Sequence, residues 1–263
     1  MKITIFTSDR LRHKGLIKRL QTVSENISLV IESGITHYNV ATPSVTSEIM
    51  DEYFTHVEEA EIGEFNKDQL PLAELDSIQL PTGQLSHLQY RDLEHVLKSD
   101  IYVVYGASYI SGWLGDFLIE NGAINIHMGL APYYKGSSCN FWALYDLNPE
   151  MVGATIHLLS RKLDGGDVLF HVVPSLLDCN GVFDIGMKAV SAAQDKLVSV
   201  LGNYGRLSYL ETSRQDPKKT IRYSKKKDFT DKVVLEFLSR RNDITDIIQT
   251  IAERRPLQKL NND

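Results

Sequence analysis

Cysteine is scarce: the 263 residues include two, Cys139 and Cys179. They form no metal-ligand spacing and no disulfide framework, so the natural reading is a cytoplasmic protein with free thiols. No run of about 18 apolar residues occurs, which argues against a membrane span. The opening MKITIFTSDR has the pattern of a core strand and lacks the long apolar region of a signal peptide. Positive charge is not in excess. With 28 Lys and Arg against 34 Asp and Glu the net charge is -6, which speaks against a nonspecific nucleic-acid surface and leaves room only for a local basic patch. Internal repeats and low-complexity segments are also missing.

What is present fits one large domain, or one domain plus a small appendage, with enough chain to bury a substantial core. Hydrophobic content of 43% and charged content of 24% are ordinary for a globular protein. Residues 2–7 read as a central strand, Ser8 and Asp9 as caps for a helix from about Arg10, and 28–32 as a second strand. A β-α-β start of this kind implies a parallel sheet. Residues 42–64 carry helical spacing at Ile49, Tyr53 and Val57 and read as a polar, acidic surface helix. A short strand at 78–80, a helix at 89–97, a buried strand at 101–105 and a helix at 113–121 follow. Further on come a helix at 140–147, strands at 153–159 and 168–173, and a helical stripe of Phe183, Met187, Val190, Leu197 and Leu201 ending at Gly202. Residues 213–228 are basic and polar. Two helices, 232–239 and 244–252, then lead to Pro256. The chain is divided accordingly at 1–203 and 204–263, the latter a small helical subdomain whose helices either form a homodimer face or cap the sheet.

The segment Ala123-Ile124-Asn125-Ile126-His127 carries the chemistry. On a strand, residues two apart point the same way, so Asn125 and His127 project together while Ile124 and Ile126 bury behind them. Asp164 lies in the turn Leu163-Asp164-Gly165-Gly166-Asp167. An Asn can donate to an oxyanion, a contact worth roughly 3–4 kcal/mol when preorganised. A His can hold or move a proton near neutral pH, and an Asp can orient the imidazole and relay a proton. His157 fits its own strand's face and reads as structural. Lys225, Lys226 and Lys227 read as a solvated face or a phosphate contact.

The order N-x-H, then Leu130, Pro132, Tyr133, Lys135 and Gly136, then L-D-G-G-D resembles the formyltransferases that use 10-formyltetrahydrofolate as donor. The resemblance is dense from Tyr102 to Leu169. It implies a Rossmann-like α/β formyltransferase core with a mostly parallel sheet, no metal, and Asn125, His127 and Asp164 as the catalytic groups. The folate cosubstrate would lie against Tyr105, Gly106, Ser108 and Ile110 and against Leu163, Gly165 and Asp167, in keeping with ligand binding at the carboxyl ends of open α/β sheets. The acceptor amine is itself the nucleophile, so Ser138 and Cys139 need no covalent role. Lys135 stands where relatives carry Arg and cannot offer its planar fork.

The acceptor is less defined. No glycine-rich phosphate turn follows the first strand, which disfavours a ribonucleotide. The tail of about 60 residues leaves little room for a tRNA-binding barrel, and no domain precedes the core as in the folate hydrolases. An amino sugar, carried on a nucleotide and destined for a bacterial surface glycan, fits best, with Arg10, Arg12, Lys135 and Ser137 on the substrate side. Transfer to another small amine, or a catalytically silent folate-binding module, are the alternatives.

Overall fold

The structure, a computed structural model, describes residues 1–34, 47–66, 75–205, 210–240 and 243–254. Strand β1 (Lys2–Ser8), helix α1 (Leu11–Leu20) and strand β2 (Asn26–Ser33) are followed by α2 (Glu48–Phe65), β3 (Asp76–Pro81) and the one-turn α3 (Tyr90–Leu93). Next come β4 (Ile101–Val104), α4 (Gly112–Glu120), β5 (Ile124–His127), β6 (Tyr134–Gly136) and α5 (Cys139–Tyr145). Strands β7 (Ala154–Leu158) and β8 (Val168–Val172) precede the long α6 (Val182–Tyr204). The tail holds β9 (Arg222–Ser224), α7 (Asp231–Ser239) and α8 (Ile244–Arg254).

Seven strands form one sheet in the order β3-β2-β1-β4-β5-β7-β8. The first five are parallel, β7 runs against them and β8 runs against β7, which gives the mostly parallel sheet expected. Strands buried on both faces need apolar residues at successive positions, and β1 supplies them. Ile3 and Ile5 pack with Leu16, Ile17 and Leu20 of α1 and with Leu197 and Leu201 of α6. Phe6 packs on the opposite face with Val104 and with Leu114 and Leu118 of α4. The carboxyl ends of β1, β2, β4 and β5 thus converge on one edge, where Ser8, Glu32, Tyr105 and His127 open onto a shared cavity.

Several local expectations are corrected. Ser8 and Asp9 do not cap α1. The N-cap is Arg10, whose side chain makes no capping bond to the helix, and the Ser8 hydroxyl instead lies 2.5 Å from Nδ1 of His13. Helix α2 is a surface helix as expected, with Met50, Tyr53, Phe54 and Phe65 buried on one face and Asp51, Glu52 and Glu59 exposed on the other, and three of its glutamates, Glu58, Glu61 and Glu64, meet Arg10, Arg12 and Lys188. The helix expected over 89–97 stops after one turn. The amides of Val96 and Leu97 both reach the Leu93 carbonyl, and the Thr4 hydroxyl donates to the Val96 carbonyl at 2.5 Å. Helix α6 runs past Gly202 to Gly205, whose φ of +62° closes it. Residues 42–46 and Pro256 lie outside the described residues.

The tail contributes a strand that the basic composition of 213–228 conceals. β9 pairs in parallel with β6, Tyr134 opposite Arg222 and Gly136 opposite Ser224. Ser213 bridges Val168 at the edge of β8. Helices α7 and α8 share an aromatic-rich cluster with α2, α5 and α6, in which Tyr53 touches the rings of Phe141, Phe183, Phe229 and Phe237. Among the described residues no helix is long and apolar enough to cross a membrane.

Candidate active site

Asn125 and His127 end β5, and their partners come from β7 and from the loop after it. The antiparallel register places Asn125 opposite His157 and His127 opposite Thr155, so the side chains of each pair share a face. Thr155 Oγ1 donates to the Gly129 carbonyl (2.7 Å) and accepts from the Ala131 amide (2.9 Å), fixing the turn that follows His127.

His127 Nδ1 lies 3.3 Å from Asp164 Oδ1, with both side chains 7% exposed. Its Nε2 lies 3.2 Å from the Tyr134 carbonyl. Both ring nitrogens thus face acceptor oxygens. The other Asp164 oxygen accepts the Gly136 amide at 2.9 Å. Gly136 itself, at φ +91°, runs so close to the Ser224 carbonyl that no side chain fits. Asp164 holds φ +50°, uncommon for a residue other than glycine. Gln215 stabilises that turn by donating to the carbonyls of Asp164 and Gly166, both at 2.8 Å.

His157, read from sequence as structural, is a partner of Asn125. Its Nδ1 must donate to the Leu158 carbonyl (2.8 Å), because a carbonyl only accepts. Burial, with the nearby His127, pushes its pKa down to about 4, against favourable contributions from the Leu158 bond and Asp164. The ring is therefore neutral at ordinary pH, and its Nε2 accepts the Asn125 Nδ2 hydrogen at 3.1 Å. That fixes the Asn125 amide and leaves its second N–H for a ligand.

These groups line a cavity of about 1140 Å³, above the range of about 300–1,000 Å³ usual for one small ligand. Tyr105, Gly106, Ser108, Ile110 and Leu163 line it, whereas Gly165 and Asp167 do not. Gly165 donates its amide to Lys162 and Asp167 gives its carbonyl to Leu158, so both shape the Asp164 loop. Gly106, at φ +69°, lies against the His13 imidazole too closely for any β-carbon. Ser108 lines the cavity with its amide and hydroxyl already committed to Glu32.

Arg10, Arg12, Ser137, Tyr223, Lys225 and Lys226 also line the cavity. Lys135 is not in the lining; it pairs with Tyr223 across β6 and β9. Arg12 is bound at both ends by the buried Glu61, through its amide (2.9 Å) and guanidinium (2.6 Å), and Arg10 reaches Glu58 at 3.4 Å. The hydroxyls of Ser137 and Ser138 are buried without a hydrogen-bond partner among the described residues. Burial, then Asp164, pushes the Cys139 thiol well up, consistent with no nucleophilic role. Sequence reading missed His157, Gln215, Glu32 and His13. A His four residues into a strand and a Gln in a polar tail carry no local signal of what they touch.

Among the described residues no group of three or more His, Cys, Asp or Glu side chains is placed to hold a metal ion.

Residues 113–201 match the family model described as formyl transferase. A formyltetrahydrofolate deformylase of Arabidopsis thaliana is 28% identical over 138 residues, 52% of this chain and 41% of its own length. The chain therefore matches less than half of that curated relative. The fold is similar to that of a sugar N-formyltransferase from Shewanella sp. FDAARGOS_354, at a TM-score of 0.55 and 18% identity, covering 92% of this chain and 90% of that one. It is also similar to a formyltransferase from Anoxybacillus kamchatkensis in complex with UDP-4,6-dideoxy-4-formamido-L-AltNAc and tetrahydrofolate. There the TM-score is 0.51 and the identity 17%, covering 95% of this chain and 100% of that one. The part of the chain that is similar to the formyl transferase family, residues 113–201, is thus the part that carries Asn125, His127 and Asp164.

Proposed function

We propose that the protein is an N-formyltransferase that moves a formyl group from 10-formyltetrahydrofolate to the amine of a nucleotide-linked amino sugar in surface-glycan biosynthesis. The observation that carries this reading is the placing of Asn125, His127 and Asp164 in one cavity with room for two substrates and with basic side chains in its lining. The folate would lie against Tyr105–Ile110 and Leu163, and the acceptor against Ser137, Tyr223, Lys225 and Lys226. The Anoxybacillus structure of the same fold, with a nucleotide-linked formamido sugar and a folate, supports that pairing of ligands.

In the reaction the acceptor nitrogen attacks the formyl carbon, forming a new C–N bond and a tetrahedral adduct. The bond from that carbon to N10 of the folate then breaks. The free N–H of Asn125 meets the oxyanion, with the orientation of its amide set by His157. His127 and Asp164 carry the proton lost by the acceptor amine toward N10, which gains one. No covalent enzyme intermediate is involved.

The test follows 10-formyltetrahydrofolate consumption with a panel of nucleotide-linked amino sugars, with product masses checked. Consumption dependent on one sugar, and a product heavier by one formyl in place of hydrogen, supports the reading. The likeness to a deformylase favours a second reading, in which water is the acceptor. Consumption at the same rate without any sugar would select it.

A further inference from the structure

Glu32, the penultimate residue of β2, is 1% exposed, yet it lies in the wall of the cavity described above. Three donors surround its carboxylate. Gly83 N–H reaches Oε1 at 2.6 Å, Ser108 Oγ reaches the same oxygen at 2.7 Å, and Ser108 N–H reaches Oε2 at 2.6 Å. Charge-assisted bonds of this length are the strong ones, and burying a carboxylate is tolerable only when it is bonded in this way.

The topology gives the contact its meaning. Gly83 lies just after β3, which neighbours β2, but Ser108 lies after β4, and β1 stands between β2 and β4. Glu32 therefore reaches over the carboxyl end of β1, beside its register partner Ser8, and ties together two loops with no strand pairing between them. Thr82 and Gly83 of the first loop, and residues 107–110 of the second, all line the cavity.

We infer that Glu32 is a positioning residue for the formyl donor, holding the loops at Gly83 and Ser108 as one wall whose shape sets donor affinity. The inference rests on the proposed placing of the folate against Tyr105–Ile110. Glu32 touches no reacting atom, so it acts on binding and not on the chemical step.

Glu32→Gln keeps the size of the side chain but puts an NH2 group where an oxygen received an N–H. The variant, wild type and Ser108→Ala are titrated with 5-formyltetrahydrofolate, a non-reacting donor analogue, and amide hydrogen exchange is measured over 82–83 and 107–110. We expect the dissociation constant to rise about tenfold in Glu32→Gln and less in Ser108→Ala, which loses one of the three bonds. The Gly83 and Ser108 amides should exchange faster in Glu32→Gln, while kcat at saturating donor stays within about threefold of wild type. An unchanged dissociation constant in a folded Glu32→Gln protein overturns the proposal, whatever the exchange shows. If Glu32→Gln does not fold, Ser108→Ala carries the same readouts. If wild type does not bind the analogue, the donor reading fails and the role proposed for Glu32 falls with it, while the exchange rates still decide whether the clamp exists.

Discussion

Asn125 and His157 stand opposite one another across β5 and β7, and the amide nitrogen of the first lies 3.1 Å from Nε2 of the second. Because His157 Nδ1 is spent on the Leu158 carbonyl, the imidazole fixes which end of the amide is nitrogen. An oxyanion donor works only if it is already turned toward the developing charge, and losing one costs about 10²–10³ in kcat.

His157→Leu should accordingly lower kcat by about tenfold or more, with the donor dissociation constant little changed. Steady-state formyl transfer at saturating substrates, set beside a donor titration, checks the split. A loss confined to donor binding would remove His157 from the orienting role.

The same residue predicts a pH dependence of stability. Its pKa falls from an ordinary 6.5 to about 4 on folding, chiefly through burial. Between those values the unfolded chain binds the proton and the folded one does not, so stability is lost as pH drops from about 6.5 toward 4 and the slope flattens below. Buried His13 and His171 are lowered in the same direction and add to the effect. Urea unfolding between pH 7 and 4 should show the decline, with a shallower slope in His157→Leu.

His127→Asn and Asp164→Ala should each lower kcat by orders of magnitude with donor affinity retained, and the double variant should be little worse than either. The 3.3 Å contact between these side chains is the reason for the coupling. A double variant whose losses multiply would show that the two act separately.

Gln215→Ala removes two hydrogen bonds that hold the Asp164 turn at φ +50°. At about 1 kcal/mol each, their loss should lower kcat several-fold with a small change in melting temperature. Equal losses of activity in Gln215→Ala and in a remote destabilised control would remove the link to the turn.

Arg12→Ala should leave the Michaelis constant for a nucleotide sugar unchanged, because Glu61 already engages the guanidinium. It should instead reduce stability by up to roughly 3 kcal/mol, since the remaining carboxylate is buried and loses its counter-charge. Lys226→Ala, in the cavity lining, should raise that constant. The reverse pattern would restore Arg12 to the acceptor side.

The sequence made the two-residue spacing of Asn125 and His127 legible because strand geometry fixes the face on which they stand. The Asp164 turn was legible through its glycines, and the parallel half of the sheet through the apolar runs of β1 and β4. His157 is the buried, hydrogen-bonded ring that its strand position suggests, but its contact with Asn125 is not legible, because the antiparallel partner of β5 is set by tertiary pairing that local pattern does not encode. Helix α2 is legible as an acidic surface helix from its apolar spacing, but the pairing of Glu58, Glu61 and Glu64 with Arg10, Arg12 and Lys188 is not, because it joins distant parts of the chain. Lys135, Gly165 and Asp167 belong to the right loops but do not line the cavity, since adjacent residues of a strand or turn face different ways. Glu32 and Gln215 act on residues more than 45 positions away, a distance over which no periodicity speaks.

The pairing of β6 with β9 joins Gly136 to Ser224, and Gln215 braces the Asp164 turn from the same late stretch of chain. During synthesis, strands β1 to β8 can associate while the residues that hold Gly136 and Asp164 in place are still inside the ribosome. Gly136 and the Asp164 turn are thus braced only once residues 215–224 have left the ribosome, and a ribosome-stalled chain ending before residue 215 should hold that turn more loosely than the full chain.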